Sequence, residues 1–197
     1  TDDALNGTAV YLNCSFDFYS SKPFGHTSGT GAVFLNCDIQ SFTRERQYFV
    51  KGSGPVAAID TRFTAQNLDY IGWREIPDTE ARYYQYNISL NAKPIGLGKD
   101  FPNITVDLTG KELLNAYRFE FNNATVYNTY NLLRGNDNWD PMGIKSIVEK
   151  AEKESGKNYS SIPTLLKIKP SRETLETGKD SVTLEATVNR FGNYELK

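Results

Sequence analysis

A chain of 197 residues with 22 basic and 24 acidic side chains and a net charge of −2 has material for one good core, or for a domain with an appendage. No block of Lys and Arg interleaves with aromatics as a nucleic-acid groove requires, so nucleic acid is excluded as a partner. No apolar run approaches the length of a bilayer span, and the opening Thr1-Asp2-Asp3 is not a positively charged signal peptide, so the expectation is a mature chain or an excised fragment.

The first predicted elements are copies of one another. Gly7-Thr8-Ala9-Val10-Tyr11-Leu12-Asn13-Cys14-Ser15-Phe16 recurs as Thr30-Gly31-Ala32-Val33-Phe34-Leu35-Asn36-Cys37-Asp38-Ile39, a shift of 23 residues. A weaker copy follows as Gly54-Pro55-Val56-Ala57-Ala58-Ile59-Asp60-Thr61-Arg62-Phe63, and Tyr83-Tyr84-Gln85-Tyr86-Asn87-Ile88-Ser89-Leu90 reads as a fourth. Apolar residues alternate with others at period two and β-branched and aromatic residues dominate, which predicts strands with one buried face. A period of this length is too short for a WD40 blade and lacks a leucine-rich framework; it fits one coil of a parallel β-helix. Three to four stacked coils are expected, about 4.8 Å apart.

Stacking places Asn13 over Asn36, with Asp60 and Asn87 continuing the column, which reads as an amide ladder at a turn. Cys14 and Cys37 then share the next column. A disulfide fits the Cα spacing, but two side chains leaving parallel strands in the same direction do not suit its dihedral, and stacked free thiols are expected. An open first coil exposes unpaired backbone, so self-association through that edge is expected.

Residues 91–112, punctuated by Lys93-Pro94, Gly96, Gly98 and Pro102-Asn103, predict a looping tail. Lys111 to Phe119 and Pro141 to Ser155 read as short helices. The second follows Asp140, carries Ile144, Ile147, Val148 and Ala151 on one stripe, stops near Gly156, and is expected to pack on the flank or end of the coils. Leu165 to Ile168 and Ser181 to Val188 predict two strands similar to the opening of a bacterial immunoglobulin-like module, although a full sandwich needs about 100 residues. The expected organisation is coils and wrapping tail over 1–140, helix and linker over 141–157, and a β appendage over 158–197: an all-β class with a right-handed parallel β-helix. Asn, Tyr and Phe enrichment suits an extracellular β-protein. Sequons stand at Asn6, Asn13, Asn87, Asn103, Asn123 and Asn158.

The Ala-Val-Tyr-Leu-Asn-Cys-Ser-Phe and Ala-Val-Phe-Leu-Asn-Cys-Asp-Ile coils resemble the recurrent Phe-x-Asn-Cys-x-Ile coils of pectinesterases. Gly72-Trp73-Arg74-Glu75-Ile76 followed by Ala81-Arg82-Tyr83-Tyr84-Gln85-Tyr86-Asn87 is similar to that family's late Gly-Trp segment and Tyr-Tyr-x-Glu-Tyr strand. The resemblance covers roughly residues 5 to 90. It implies an esterase that demethylates polygalacturonate with an aspartate nucleophile, an aspartate acid and an orienting arginine, with no metal or other cofactor. It further implies secretion or display at the cell surface, and plant cell-wall polysaccharide (pectin) as partner.

Carried over residue by residue, an ungapped match from Cys14 to Phe24-Gly25 puts Ser21 at the nucleophilic aspartate, with Asp17 the nearest carboxylate. Matching backwards from Gly72-Trp73 puts Lys51 near the arginine. The coil of the acid would precede Thr1. Ser21 has no evident base beyond His26, and Lys cannot reproduce the bidentate fork of Arg, so this segment is expected to be inactive. His26 is expected on a surface loop. Trp73, Lys51 and His26 are the candidate substrate-binding residues; Trp73 suits sugar stacking or packing equally, whereas Tyr84 and Tyr86 are expected to pack. The competing readings are a noncatalytic binder of acidic polysaccharide through Lys51, Arg44, Arg46 and Trp73, and a surface structural protein.

Overall fold

A computed structural model describes residues 2–4, 8–19, 25–27, 31–43, 50–52, 56–66, 83–94, 105–130, 138–159, 166–170 and 184–188. The chain is mostly β, built on parallel sheets, with one α-helix among the described residues. Three strands form each repeating unit. The first unit is β1 (Asp2–Ala4), β2 (Thr8–Leu12) and β3 (Ser15–Phe18). The second is β4 (Gly25–Thr27), β5 (Gly31–Leu35) and β6 (Asp38–Ser41), and the third β7 (Val50–Gly52), β8 (Val56–Ile59) and β9 (Arg62–Ala65). A fourth supplies β10 (Tyr83–Tyr86) and β11 (Ser89–Leu90).

The strands visit three sheets in rotation. Sheet A has the order β1-β4-β7; sheet B holds β2, β5, β8 and β10; sheet C holds β3, β6, β9 and β11. Every pairing among these strands is parallel and in register with the repeat: Val10 beside Val33 beside Ala57, and Phe16 beside Ile39 beside Phe63.

The segment expected to loop from 91 to 112 contributes strands of its own. Asn91 and Ala92 both take positive φ and turn β12 (Lys93–Pro94) back antiparallel onto β11, while β13 (Thr105–Asp107) adds a fifth strand to sheet B beside β10. The Asn91 amide donates to the Ala65 carbonyl at 2.8 Å and accepts from the Ala65 N–H at 2.9 Å, standing in for a further strand residue.

Burial differs between the sheets in a way that corrects the expectation of one buried face. Sheet C alternates: in β9 Phe63 and Ala65 are buried while Arg62 and Thr64 are exposed. Sheet B is buried on both faces. Its Ala32, Phe34, Val56, Ala58 and Tyr83 pack with Cys37, Ile39 and Phe63 of the sheet C side, and its Val33, Leu35, Ala57, Ile59 and Tyr84 pack with Leu108, Ala116 and Tyr117. That is the reason Ala-Val-Phe-Leu and Val-Ala-Ala-Ile are unbroken apolar runs, the pattern of a parallel strand covered on both sides. Tyr11 stacks on Phe34 in the next unit, centroids 4.8 Å apart, inside the first of these layers.

Residues expected to form a helix from Lys111 to Phe119 instead make a 3-10 helix at Glu112–Ala116, followed by β14 (Arg118–Phe121) paired with β15 (Ala124–Tyr127) in a hairpin. Leu113 and Leu114 serve the cover of sheet B, but Arg118-Phe119-Glu120-Phe121 alternates at period two, and Asn122-Asn123 with φ of 50° and 61° supplies the primed turn a hairpin favours. The helix α1 (Lys145–Ser155) forms as expected. Asp140 accepts from the Ile144 N–H at 2.9 Å and the Lys145 N–H at 3.1 Å, satisfying donors at its open first turn, and Gly156 at φ 70° ends it. Val148 and Ala151 are buried, whereas Ile147 of the expected stripe is 40% exposed. The helix packs on the hairpin: Val148 and Ala151 join Phe119, Tyr130 and Tyr159 in a small core. Farther on, where two strands were expected, β16 (Leu166–Pro170) and β17 (Leu184–Val188) form and pair antiparallel.

The end unit is less covered than the next. Val10 and Leu12 are half-buried, whereas Val33 and Leu35 are fully enclosed. Leu35→Ala is therefore expected to destabilise the chain by about 2–5 kcal/mol, the range for a buried leucine truncation, and Leu12→Ala by clearly less. Urea denaturation of the two variants checks the order; equal losses would contradict the described packing.

Candidate functional site

Each unit bends between its sheet B and sheet C strands at one residue in left-handed backbone: Asn13 (φ 54°), Asn36 (φ 50°), Asp60 (φ 49°) and Asn87 (φ 47°). Asn and Asp tolerate this region better than other non-glycine residues because their short polar side chains bond locally. The side chains form the expected column: Asn36 Nδ2 donates to Asn13 Oδ1 at 2.8 Å, and Asn87 Nδ2 donates to Asp60 Oδ1 at 2.6 Å. Between those pairs Arg62 intervenes. Its guanidinium donates to Asn36 Oδ1 at 3.0 Å and the Asp60 carbonyl at 3.1 Å, and grips Asp38 through Nε at 2.6 Å and Nη2 at 2.9 Å. That grip holds the Asp38 carboxyl below its usual range. Both side chains are about half exposed, so the pair adds little stability.

Directly after the bend the column runs Cys14, Cys37, Thr61. Each donates to the carbonyl two residues back: Cys14 to Leu12 at 3.4 Å, Cys37 to Leu35 at 3.4 Å, Thr61 to Ile59 at 3.1 Å. Both cysteines are free, as expected. Burial pushes the Cys37 thiol up to about 11, so it stays protonated and inert near neutrality.

The departure from Asn at Asp60 builds the most connected polar cluster among the described residues. Asp60 Oδ2 accepts from Arg118 Nε at 2.8 Å and from the Tyr127 hydroxyl at 2.9 Å. Arg118 also pairs with Glu120 at 2.7 Å, donates to Thr125 Oγ1 at 3.2 Å, and lies over the Tyr86 ring at 5.4 Å. Asp60 and Arg118 side chains are 10% and 19% exposed. The cluster ties the β14–β15 hairpin to the bend column, with Arg118 shared between the Asp60 and Glu120 carboxylates. Burial first, and then the bond to the Asp60 carboxylate, push the Tyr127 hydroxyl up to about 12.

The residues singled out from sequence do not converge. Asp17 is exposed on β3 in sheet C, beside Gln40. His26 lies on strand β4, correcting its assignment to a loop, and Lys51 on β7; the two pair directly in sheet A, with Asp3 the next partner in the column. Ser21, Trp73, Arg44 and Arg46 lie outside the described residues. Tyr84 is buried and Tyr86 half-buried beneath Arg118, as packing residues. No group of three or more potential metal ligands occurs among the described residues, and no helix there is long and apolar enough to cross a membrane. Comparison with protein-family models, with curated proteins and with solved structures finds no match.

Sequence reading placed Asp60 in the ladder but missed Arg118 and Tyr127. The available signal was the carboxylate itself: a ladder of amides needs no charge, so an Asp among Asn residues asks for a donor from elsewhere.

Removing Arg118 leaves a buried carboxylate without its cation, so Arg118→Ala is expected to cost about 3 kcal/mol or more. A second expectation follows from Tyr127. Its hydroxyl titrates higher when folded than the ordinary value of about 10, so the unfolded chain sheds that proton first. Stability present below pH 10 is then lost as pH rises toward 12. Tyr127→Phe should flatten that fall in a pH series of thermal melts; an unchanged slope would contradict the Asp60 contact.

Proposed function

We propose that the chain forms a right-handed parallel β-helix of the pectinesterase-like kind, acting as a noncatalytic binder of acidic cell-wall polysaccharide. Rotation of strands through sheets A, B and C with an in-register repeat supports the helical winding, and parallel crossovers are right-handed in about 98% of cases. The observation that carries the binding reading is the direct pairing of His26 with Lys51 in sheet A. Parallel neighbours lie about 4.8 Å apart, which brings a lysine and a histidine together where a polyuronate chain offers repeated carboxylates.

Lack of turnover is supported by position. Ser21 stands where the family has its nucleophile, and the nearest carboxylate, Asp17, belongs to sheet C while Lys51 belongs to sheet A. Loss of one member of a cooperating set removes most of the rate. In this reading the protein is secreted or held at the cell surface, and its β16–β17 pair belongs to a small β appendage of immunoglobulin-like kind.

The test joins two assays. No methanol is expected from methylated pectin with the unmodified chain. Retention on polygalacturonate is expected at low salt, falling as salt screens the contact, and weakened in Lys51→Ala and His26→Ala. Methanol release abolished by Ser21→Ala would replace this reading with a serine hydrolase, and retention indifferent to both sheet A substitutions would remove the binding assignment.

A further inference from the structure

The fold treats the six sequons of the sequence differently. Asn6 and Asn103 lie outside the described residues, as does Ser160, the last residue of the Asn158 sequon. Asn13 and Asn87 are bend residues of the column: Asn13 Oδ1 accepts from Asn36 at 2.8 Å, and Asn87 Nδ2 donates to Asp60 Oδ1 at 2.6 Å. The nitrogen of Asn87 that a glycan would occupy already holds two units together.

Asn123 is placed otherwise. It is the second turn residue between β14 and β15, at φ 61°, and Phe121 pairs with Ala124 behind it to close the turn. Asn122, Asn123, Ala124 and Thr125 are all exposed, and the Asn123 carboxamide has no partner among the described residues. A primed turn needs positive φ at both central residues, and Gly at the second serves it best. The carboxamide at this tip is therefore more than the backbone asks for. Thr125 completes Asn123-Ala124-Thr125 with no proline between, the acceptor pattern for N-linked sugar on a surface loop. The tip is also the far end of the hairpin from Arg118 and Tyr127, which pair at its base and bond Asp60. A bulky oligosaccharide on Asn123 displaces neither of those contacts.

We propose that Asn123 is an N-glycan acceptor, an inference that rests on the secreted or surface location in the reading above. In the transfer, Asn123 Nδ2 forms a bond to the anomeric carbon of a lipid-diphosphate-linked oligosaccharide. The bond from that carbon to the diphosphate oxygen breaks, the lipid diphosphate leaves with the electron pair, and Nδ2 gives up one proton.

The full chain from its own source is treated, in isotopically heavy water, with an amidase that removes N-linked glycans, and its peptides are identified by mass spectrometry. The same is done for chain directed through a eukaryotic secretory route by an appended signal. Asn123 is expected to appear as labelled Asp in both preparations, and Asn87 to appear unchanged. Asn123→Gly suits the turn, and circular dichroism checks its fold; it should lose one glycan's worth of gel mobility shift on amidase treatment. Absence of label at Asn123 in both preparations overturns the site itself. Label only in the directed chain overturns the proposal by showing that the natural chain meets no such transferase. Equal labelling of Asn87 overturns the selection made by the fold. Loss of polygalacturonate retention with Asn123 labelled removes the binding reading and leaves this one standing.

Discussion

Left-handed backbone at Asn13, Asn36, Asp60 and Asn87 sets the angle between sheets B and C, and most of the molecule inherits its geometry from that bend. An ordinary residue pays about 1–2 kcal/mol to adopt this conformation; Asn and Asp recover part of it by bonding through the side chain. Because the same bend recurs at the same place in each unit, the strands on either side meet their neighbours without slipping, and Leu12 lies beside Leu35 beside Ile59. A slip by one residue would turn every core side chain outward. The Cys14, Cys37 and Thr61 column, each bonding the carbonyl two residues back, is the consequence one position further along.

The third bend does a second job. As a carboxylate Asp60 can hold both its ladder partner Asn87 and the two donors Arg118 and Tyr127 from the hairpin. That tie fixes the hairpin where the preceding segment, Leu108 to Tyr117, can cover the outer face of sheet B. The hairpin in turn gives α1 a surface to bury Val148 and Ala151 against. Sheet B is thereby covered on both sides.

Much of the repeat region was legible because its signals are local and repeated: the Leu-Asn-Cys triplets recur at the period that stacks them, and the Asn or Asp in each bend has a conformational reason to be there. Two-sided burial of sheet B was present as the unbroken runs in β5 and β8, yet period-two alternation was the stronger pattern in neighbouring strands and drew the reading toward one face. Residues 111–119 misled because Leu113, Leu114 and Tyr117 fit helical spacing, while the alternation from Arg118 onward and the Asn122-Asn123 turn decided the outcome. The Asp60 contacts could not be read locally: Arg118 and Tyr127 come from 58 and 67 residues away. His26 and Lys51 do follow the repeat, lying one unit apart upstream of the obvious copies, where no apolar pattern draws attention to them.

The in-register parallel stacking across the bends is the claim on which the rest stands, and NMR measures it directly. Parallel neighbours bring the Hα of one residue close to the amide proton of its register partner where that partner's N–H bonds the carbonyl of the preceding residue. The Asp38 N–H bonds the Cys14 carbonyl and the Arg62 N–H bonds the Cys37 carbonyl, each at 2.9 Å. Strong nuclear Overhauser effects are therefore predicted from Ser15 Hα to the Asp38 amide proton and from Asp38 Hα to the Arg62 amide proton. Strong Hα–Hα effects between residues 8–12 and 31–35, the mark of antiparallel pairing, would contradict the account.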